Sequence, residues 1–489
     1  MKPIIPVWTI QKSHILEDTA ILSLNYSALK AGHWWIFGKS GSGKTSSLVS
    51  LLFSTIKQSI QEQEIEHIKN NPENRKQWDT FVLLDPHNSF IEPTLTLLEK
   101  YLSTNYKLSR YSNIFRYSKK KIQNHQEFKN GFYMNKTLLF NPLFSLSLLM
   151  DFSEIDKMVD FNISSLKGVF EYNSFWPQNT HILELLTKAC ILLNLERYKK
   201  DKNNPLLSFR DIYEVLDDML KEKKSFLPSF NKEITMLFTS SDALVQTMAN
   251  GIVRDLETLR LTIKENKQFH ITALTKVKDF HNALWDTFWY NKSYSELTLD
   301  IFFLMNGIKS EAEINFFNFS WYSGQQKKVL ISFFTNAIYH LWAKKDHTNP
   351  NLGKHYYACD EFQSFLELKG WKNHLLDISE KILNEHRKKK VNMLFVFQSI
   401  SRELQDLMNN LSYSFVFSLP PEQAEIFTPV INSWLMLKLA IETKNIVNLR
   451  IWEYYANFDT THFGTLSIVA HSLNIVNPDT EKLLFNNWE

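Results

Sequence analysis

The sequence predicts an α/β protein: a parallel-rich sheet covered by helices, with an inserted all-α subdomain and a short N-terminal β segment. Three observations point there. Short apolar runs rich in β-formers alternate with stretches of helical periodicity. One such run, His33-Trp34-Trp35-Ile36-Phe37, leads straight into Gly38-Lys39-Ser40-Gly41-Ser42-Gly43-Lys44-Thr45, and a helical pattern follows. Between residues 150 and 265 the periodicity is helical throughout, with proline-bearing loops near Pro205 and Pro228.

In chain order, residues 4–10 and 20–24 read as short strands joined by a polar connection. After the 33–37 strand, Leu48, Leu51, Leu52 and Ile56 mark a helix over 46–60. Residues 80–84 form a second buried strand closed by Asp85-Pro86-His87, and a helix follows over 91–101. Residues 102–136 mix Lys, Asn and Tyr and read as an irregular excursion, before a short strand at 137–140 that ends on Asn141-Pro142. Ile182, Leu183, Leu185 and Leu186, then Ile212, Val215, Leu216 and Met219, are amphipathic stripes. Residues 265–312 fit neither template. Strands then return at 314–319, 355–359, 391–397 and 412–419, with helices over 327–342 and 375–388 between them. Strands separated by helices imply a parallel sheet buried on both faces. The domain expectation is a β segment over 1–30, a core over 31–149 and 266–430, a helical insertion over 150–265 and a C-terminal extension over 431–489.

Composition bounds the function. The 489 residues are 44% hydrophobic and 22% charged, ordinary for a folded protein with ample core. Fifty-five basic against 52 acidic residues leave +3, too mild to require or exclude a nucleic-acid partner. Two cysteines, Cys190 and Cys359, exclude a disulfide scaffold and a Cys-rich zinc module, and suit a reducing compartment. No apolar run is long enough for a transmembrane helix, and the N-terminus lacks a signal-peptide core.

The 38–45 segment satisfies G-x-x-x-x-G-K-[ST], in the strand-to-helix context that the motif requires. Four of the chain's twelve glycines, at 32, 38, 41 and 43, fall within twelve residues. Glycines let backbone N–H groups close around phosphate oxygens, and the helix behind presents its positive end. Lys44 is placed to reach the β- and γ-phosphates of ATP, and Thr45 to ligate Mg²⁺.

Tyr356-Tyr357-Ala358-Cys359-Asp360-Glu361 is a strand ending in two carboxylates. Beside a phosphate loop, Asp360 suits Mg²⁺ and Glu361 suits a general base for the attacking water. Taken alone, the pair also suits a solvated strand end. Gln398, at the end of the 391–397 strand, is placed to touch the γ-phosphate, or simply to cap its strand.

These pieces, in this order, resemble the HerA–FtsK superfamily of ring-forming DNA-pumping ATPases, most of all the TraG-type coupling ATPases of type IV secretion and conjugation and their soluble relatives. The resemblance covers residues 30–145 and 310–430. It rests on the 38–45 motif, Leu84-Asp85-Pro86-His87, Asn141-Pro142-Leu143, Asp360-Glu361-Phe362-Gln363, the Gln398 strand, and Phe415-Val416-Phe417 followed by Pro421-Glu422-Gln423-Ala424-Glu425. It implies a RecA-like P-loop core, a homo-hexamer, and ATP-driven movement of DNA, without sequence preference, through a central channel. It also implies an arginine finger from the neighbouring subunit. Arg387, eleven positions before Gln398, is the candidate, with Arg402 and Arg450 next. Arg387-Lys388-Lys389-Lys390 also suits a helix C-terminus.

The family's DPHGD or DPKGD becomes Asp85-Pro86-His87-Asn88-Ser89 here, so His87 suits a structural turn as well as a site. The resemblance implies a cytoplasmic protein, with a peripheral place at a membrane complex allowed, and a secretion-system or nuclease partner. A HerA-type motor working with a nuclease, a viral-type packaging ATPase and a non-motor ATP-dependent switch are the alternatives. Lys119-Lys120-Lys121, Lys199-Lys200-Lys202 and Lys221-Lys223-Lys224 are candidate DNA-phosphate patches, or ordinary solvated faces.

Overall fold

The computed structural model describes residues 4–10, 20–25, 32–69, 78–105, 112–119, 128–130, 133–149, 151–169, 177–221, 227–240, 242–265, 267–284, 292–297, 299–306, 311–342, 353–366, 374–385, 390–399, 413–435, 442–449, 451, 453–460 and 464–472. Its first part runs β1 (Ile4–Ile10), β2 (Ala20–Asn25), β3 (Trp34–Phe37), α1 (Lys44–Lys69), β4 (Thr80–Asp85), α2 (Ile91–Thr104), β5 (Ser112–Ser118), β6 (Phe128–Asn130) and β7 (Tyr133–Thr137). Helices follow: α3 (Glu154–Val169), α4 (Pro177–Lys200), α5 (Phe209–Lys221), α6 (Leu227–Met236), α7 (Ala243–Glu265), α8 (Lys267–Leu284) and α9 (Ile301–Asn306). The alternation returns with β8 (Ala312–Asn318), α10 (Gly324–Ala337), β9 (His355–Cys359), α11 (Gln363–Leu366), α12 (His374–Glu385), β10 (Val391–Phe397), β11 (Tyr413–Phe417), α13 (Pro421–Leu435), α14 (Thr443–Val447), β12 (Glu453–Thr460) and β13 (Gly464–Ser472).

The described strands form one 13-stranded sheet in the order β2-β1-β13-β12-β11-β3-β10-β9-β4-β8-β5-β7-β6. From β11 to β7 every pairing is parallel, and the flanking pairings are antiparallel. Strands β3, β4, β9, β10 and β11 are buried at every position, which is why their sequences are near-continuous apolar runs. Their side chains alternate between two cores. Trp34 and Ile36 face the layer of Leu48, Leu52, Phe53 and Leu98 from α1 and α2. Trp35 and Phe37 face the opposite layer, with α3, α10 and the helical insertion. Helix α10 is buried from Val329 through Ala337, and its buried Ser332, Thr335 and Asn336 donate to nearby backbone carbonyls.

Two α/β features differ from the sequence expectation. The described residues within 102–136 are not an irregular excursion; they complete α2 and supply β5, β6 and most of β7. Strand β5 pairs with β8 along its whole length, yet Asn113, Phe115 and Arg116 are only partly buried, so no apolar run marks it. The strand expected at 137–140 ends instead at Thr137. Leu138, Leu139 and Phe140 are buried as extended chain leading to Asn141-Pro142-Leu143. That turn fastens the helical insertion to the sheet. Asn141 Nδ2 donates to Leu207 O (2.8 Å), Asn162 Nδ2 to Pro142 O (2.8 Å) and Asn194 Nδ2 to Leu143 O (3.0 Å). The unassigned 265–312 stretch holds α8 and α9, and β12 and β13 extend the sheet from β11.

Phe395 sits where the layers meet. It is fully buried, stacks on Phe362 with centroids 4.0 Å apart, and meets Trp35 edge-on at 6.0 Å. Phe395→Ala should destabilise the protein by about 3–5 kcal/mol, through lost transfer energy and a cavity. The shift in urea unfolding midpoint measures this; a loss below about 1 kcal/mol would mean the site collapses freely.

Candidate functional site

Parallel strands end on the same edge, and the register here stacks four chemically loaded ends side by side. Phe37 lies opposite Phe397, Cys359 opposite Phe395, and Leu84 opposite Cys359. The residues just beyond are therefore neighbours: the 38–45 loop after β3, Gln398 after β10, Asp360 and Glu361 after β9, and Asp85 at the end of β4.

The loop is clipped between two strands. Gly38 N–H donates to Phe397 O (3.2 Å) and Lys39 N–H to Ser418 O (2.8 Å). A Cβ at Gly38 would lie 2.6 Å from both Phe417 Cβ and Ser42 Oγ. Gly41 and Gly43 have φ of 74° and 104°, where a side chain is strained. Ser42 Oγ is buried with no hydrogen-bond partner. Lys39, Ser40 and Gly41 are exposed at the tip, and Thr45 is half-buried in the first turn of α1.

Lys44 is buried, and its Nζ donates to Lys39 O at 2.8 Å. Burial lowers its pKa from 10.5 to about 8, opposed by the carboxylates of Asp360 and Glu361. A buried ammonium whose hydrogen bond goes to one loop carbonyl suits a phosphate, which would compensate its charge. The orphaned Ser42 hydroxyl and the glycine cradle fit the same guest, so a nucleoside triphosphate suits the loop.

Asp360 is buried rather than solvated at its strand end. Its Oδ2 accepts from Ser89 Oγ (2.6 Å) and its Oδ1 from Glu361 N–H (3.0 Å). Burial raises its pKa; the Ser89 bond opposes this, and the Asp85 and Glu361 charges add to it. The buried Cys359 thiol is pushed well up by burial and then by Asp360, Asp85 and Glu361. The pocket is thus rich in anions at the place where a divalent cation would help. The Thr45 hydroxyl and the Asp360 carboxylate are the oxygen donors suited to Mg²⁺.

Glu361 adopts φ of 52°. Its Oε1 accepts from Gln398 Nε2, and its Oε2 lies 2.7 Å from His87 Nε2. Gln398 therefore reaches the acidic pair, a contact that neither strand cap nor phosphate probe anticipates. Asp85 was not among the expected site residues. Its Oδ2 accepts from Phe90 N–H (2.8 Å) and Ile91 N–H (3.0 Å), doing the work of an N-cap for α2, and its Oδ1 accepts from His87 N–H (3.1 Å). A carboxylate six residues before the helical run was the readable signal. Ser89 carried none, because its partner is 271 residues away.

Arg387 lies outside the described residues, as do Arg402, Arg450, Lys120, Lys121, Lys223 and Lys224. Of the lysines in the candidate patches, Lys199 pairs with Glu196 (2.9 Å) and Lys221 with Asp217 (2.6 Å), as on ordinary solvated helices. Lys119 lies 4.9 Å from the Tyr322 ring centroid and bonds to Gln326. Among the described residues, no helix is long and apolar enough to cross a membrane.

No family model and no curated protein matches the sequence. Solved structures do. The chain is similar to the bacterial conjugative coupling protein TrwBdeltaN70, at 11% identity over 92% of this chain and 88% of that one, with a TM-score of 0.46. VirB4 of Thermoanaerobacter pseudethanolicus gives 11% identity, 92% and 90% coverage and a TM-score of 0.44. The cytoplasmic domain of the Thermomonospora curvata type VII secretion ATPase EccC gives 10%, 96% and 29%, and 0.31. At such scores the likeness is loose, and the fold stands on the chain's own features. These are a mostly parallel α/β sheet, a glycine loop joining β3 to α1, and one strand, β10, between the loop strand and the acidic strand. That is the RecA-like P-loop core expected from the motifs.

The buried Lys44 cation has a sign that can be measured. The unfolded chain keeps its proton to about 10.5 and the folded chain only to about 8. The penalty is fully present below pH 8 and is relieved as pH rises to 10.5. Lys44→Met keeps the apolar stem, so it should stabilise the protein at pH 7 by about 2–4 kcal/mol. The gain over wild type should vanish between pH 8 and 10.5 in urea titrations. A pH-independent difference would mean Lys44 is not a destabilised cation.

Proposed function

We propose that the chain is an ATP-hydrolysing, ring-forming DNA translocase of the HerA–FtsK type, like the coupling ATPases of conjugation and type IV secretion. The observation that carries the hydrolytic reading is the convergence of Lys44, Asp360, Glu361 and Gln398 on one sheet edge. A protein that merely binds nucleotide has no use for a carboxylate held at that place.

In this reading the triphosphate lies in the 38–45 loop. Backbone N–H groups and the Ser42 hydroxyl take its oxygens, and Lys44 takes the charge of the β- and γ-phosphates. Thr45 and Asp360 would hold Mg²⁺, which would neutralise part of the phosphate charge. Glu361 orients the attacking water and accepts its proton as the oxygen bonds to the γ-phosphorus and the bond to the β–γ bridging oxygen breaks, releasing ADP and phosphate, and Gln398 holds one oxygen of the Glu361 carboxylate. Phosphoryl transfer asks mainly for position and charge, and these residues provide both. Arg387, from a neighbouring subunit of a homo-hexamer, is the proposed cation for the developing charge. The motif set is the support for a DNA substrate. A backbone-tracking pump needs phosphate contacts rather than base readout. A cytoplasmic place, peripheral at a membrane secretion complex, belongs to the same reading.

Glu361→Gln should keep ATP affinity and lower kcat by about 10² or more, because an amide accepts no proton. Calorimetric ATP binding beside phosphate release measures both; undiminished release would give the role of base to another residue. DNA of any sequence should stimulate hydrolysis by the wild type, and the stimulation should fall steeply between 50 and 200 mM salt as counterions compete (about 10³-fold in affinity for six or more contacts to duplex phosphates). Hydrolysis indifferent to DNA would favour the nucleotide switch over the motor.

A further inference from the structure

Glu361 is held from two sides, and the second side belongs to no motif role. Gln398 engages Oε1, and His87 Nε2 lies 2.7 Å from Oε2. The His87 and Glu361 side chains are 47% and 26% exposed. A pair so open to water adds little to stability. Its geometry is nonetheless built from both ends. Glu361 holds a φ of 52°, unfavourable for a residue with a Cβ, while Asn88, next to His87, holds 60°, which asparagine tolerates.

The loop that carries His87 is tied down in turn. Its own N–H donates to Asp85 Oδ1. Asn88 Oδ1 accepts from Asn318 Nδ2 at 2.8 Å. Asn318 is buried at the end of β8, opposite Asp85 in register. Its other amide atom, Oδ1, accepts from Ser320 N–H (2.9 Å) and Ser320 Oγ (2.7 Å). Asn318 thus links the β8–α10 turn to the β4–α2 loop, and that loop to Glu361.

We infer that His87 is a positioning residue for Glu361, and that Asn318, acting through Asn88, sets where His87 stands. The inference rests on the reading of Glu361 as the general base. A glutamate has three free side-chain torsions, and a base displaced by about 1 Å loses up to about 10² in rate. With Gln398 alone, one carboxylate oxygen is held and the group pivots. With His87 as well, both oxygens are fixed and the carboxylate plane is defined. The bland function of His87, as a turn residue, needs its backbone and not its imidazole.

The test uses the full chain with ATP and Mg²⁺, reading kcat, ATP affinity and melting temperature. His87→Ala should lower kcat about tenfold to a hundredfold, with ATP affinity within about twofold and melting temperature unmoved, as the exposed pair requires. His87→Gln, which can donate through Nε2, should recover part of the rate. Asn88→Gly tolerates positive φ while deleting the bond to Asn318, and should give an intermediate loss of kcat. In single-turnover assays, His87→Ala should cost nothing further in the Glu361→Gln background, since residues acting through one group are non-additive. Normal kcat in His87→Ala overturns the inference, as does an equal loss in both backgrounds or a loss confined to affinity or melting temperature. If Glu361→Gln turns over normally, the base assignment falls and this inference with it. If Glu361→Gln is dead while His87→Ala is normal, only the inference falls.

Discussion

The parallel register of β3, β10, β9 and β4 is the constraint on which the rest depends. Residues far apart in the chain (the loop at 38–45, Asp85, Asp360 and Gln398) become neighbours only because four strands end level on one edge. A slip of one residue would turn Trp35 and Phe37 into the core of Trp34 and Ile36, and the burial of both faces forbids it. Packing on the two sides of the sheet therefore does more than hold the molecule together. It sets the alignment of groups that touch neither core.

That edge concentrates charge where water is scarce. Lys44 is a buried cation whose hydrogen bond goes to a carbonyl, and Asp360 is a buried anion bonded to a hydroxyl and an N–H. Each is shifted toward neutrality by its surroundings, in opposite directions. Separately both would count as faults in a core. Together they are the signature of a site awaiting a polyanion and a cation, since each guest relieves the strain on one of them.

What could be read from the sequence followed burial and spacing. Strands β3, β4, β9, β10 and β11 announce themselves because helices cover both their faces, so every position is apolar or nearly so. Strand β5 hides because its half-covered place near the sheet's far edge admits Asn113 and Arg116. In the site, the glycine loop and the Asp360-Glu361 pair were legible as local patterns with a mechanism attached. The bonds from Ser89 to Asp360, Gln398 to Glu361 and Asn318 to Asn88 span 271, 37 and 230 residues, and no local pattern encodes them. His87 illustrates the boundary: its motif was visible, but its partner was not.

The central claim is that this edge is where a nucleotide sits and is cleaved. A structure determined with Mg²⁺ and a non-hydrolysable ATP analogue tests it most directly. Phosphates should lie inside the 38–45 loop, with a new partner for the Ser42 hydroxyl, the Lys44 ammonium turned from the Lys39 carbonyl to phosphate oxygen, and the terminal phosphate facing Glu361. A nucleotide seated elsewhere, or a terminal phosphate remote from Glu361, would contradict it.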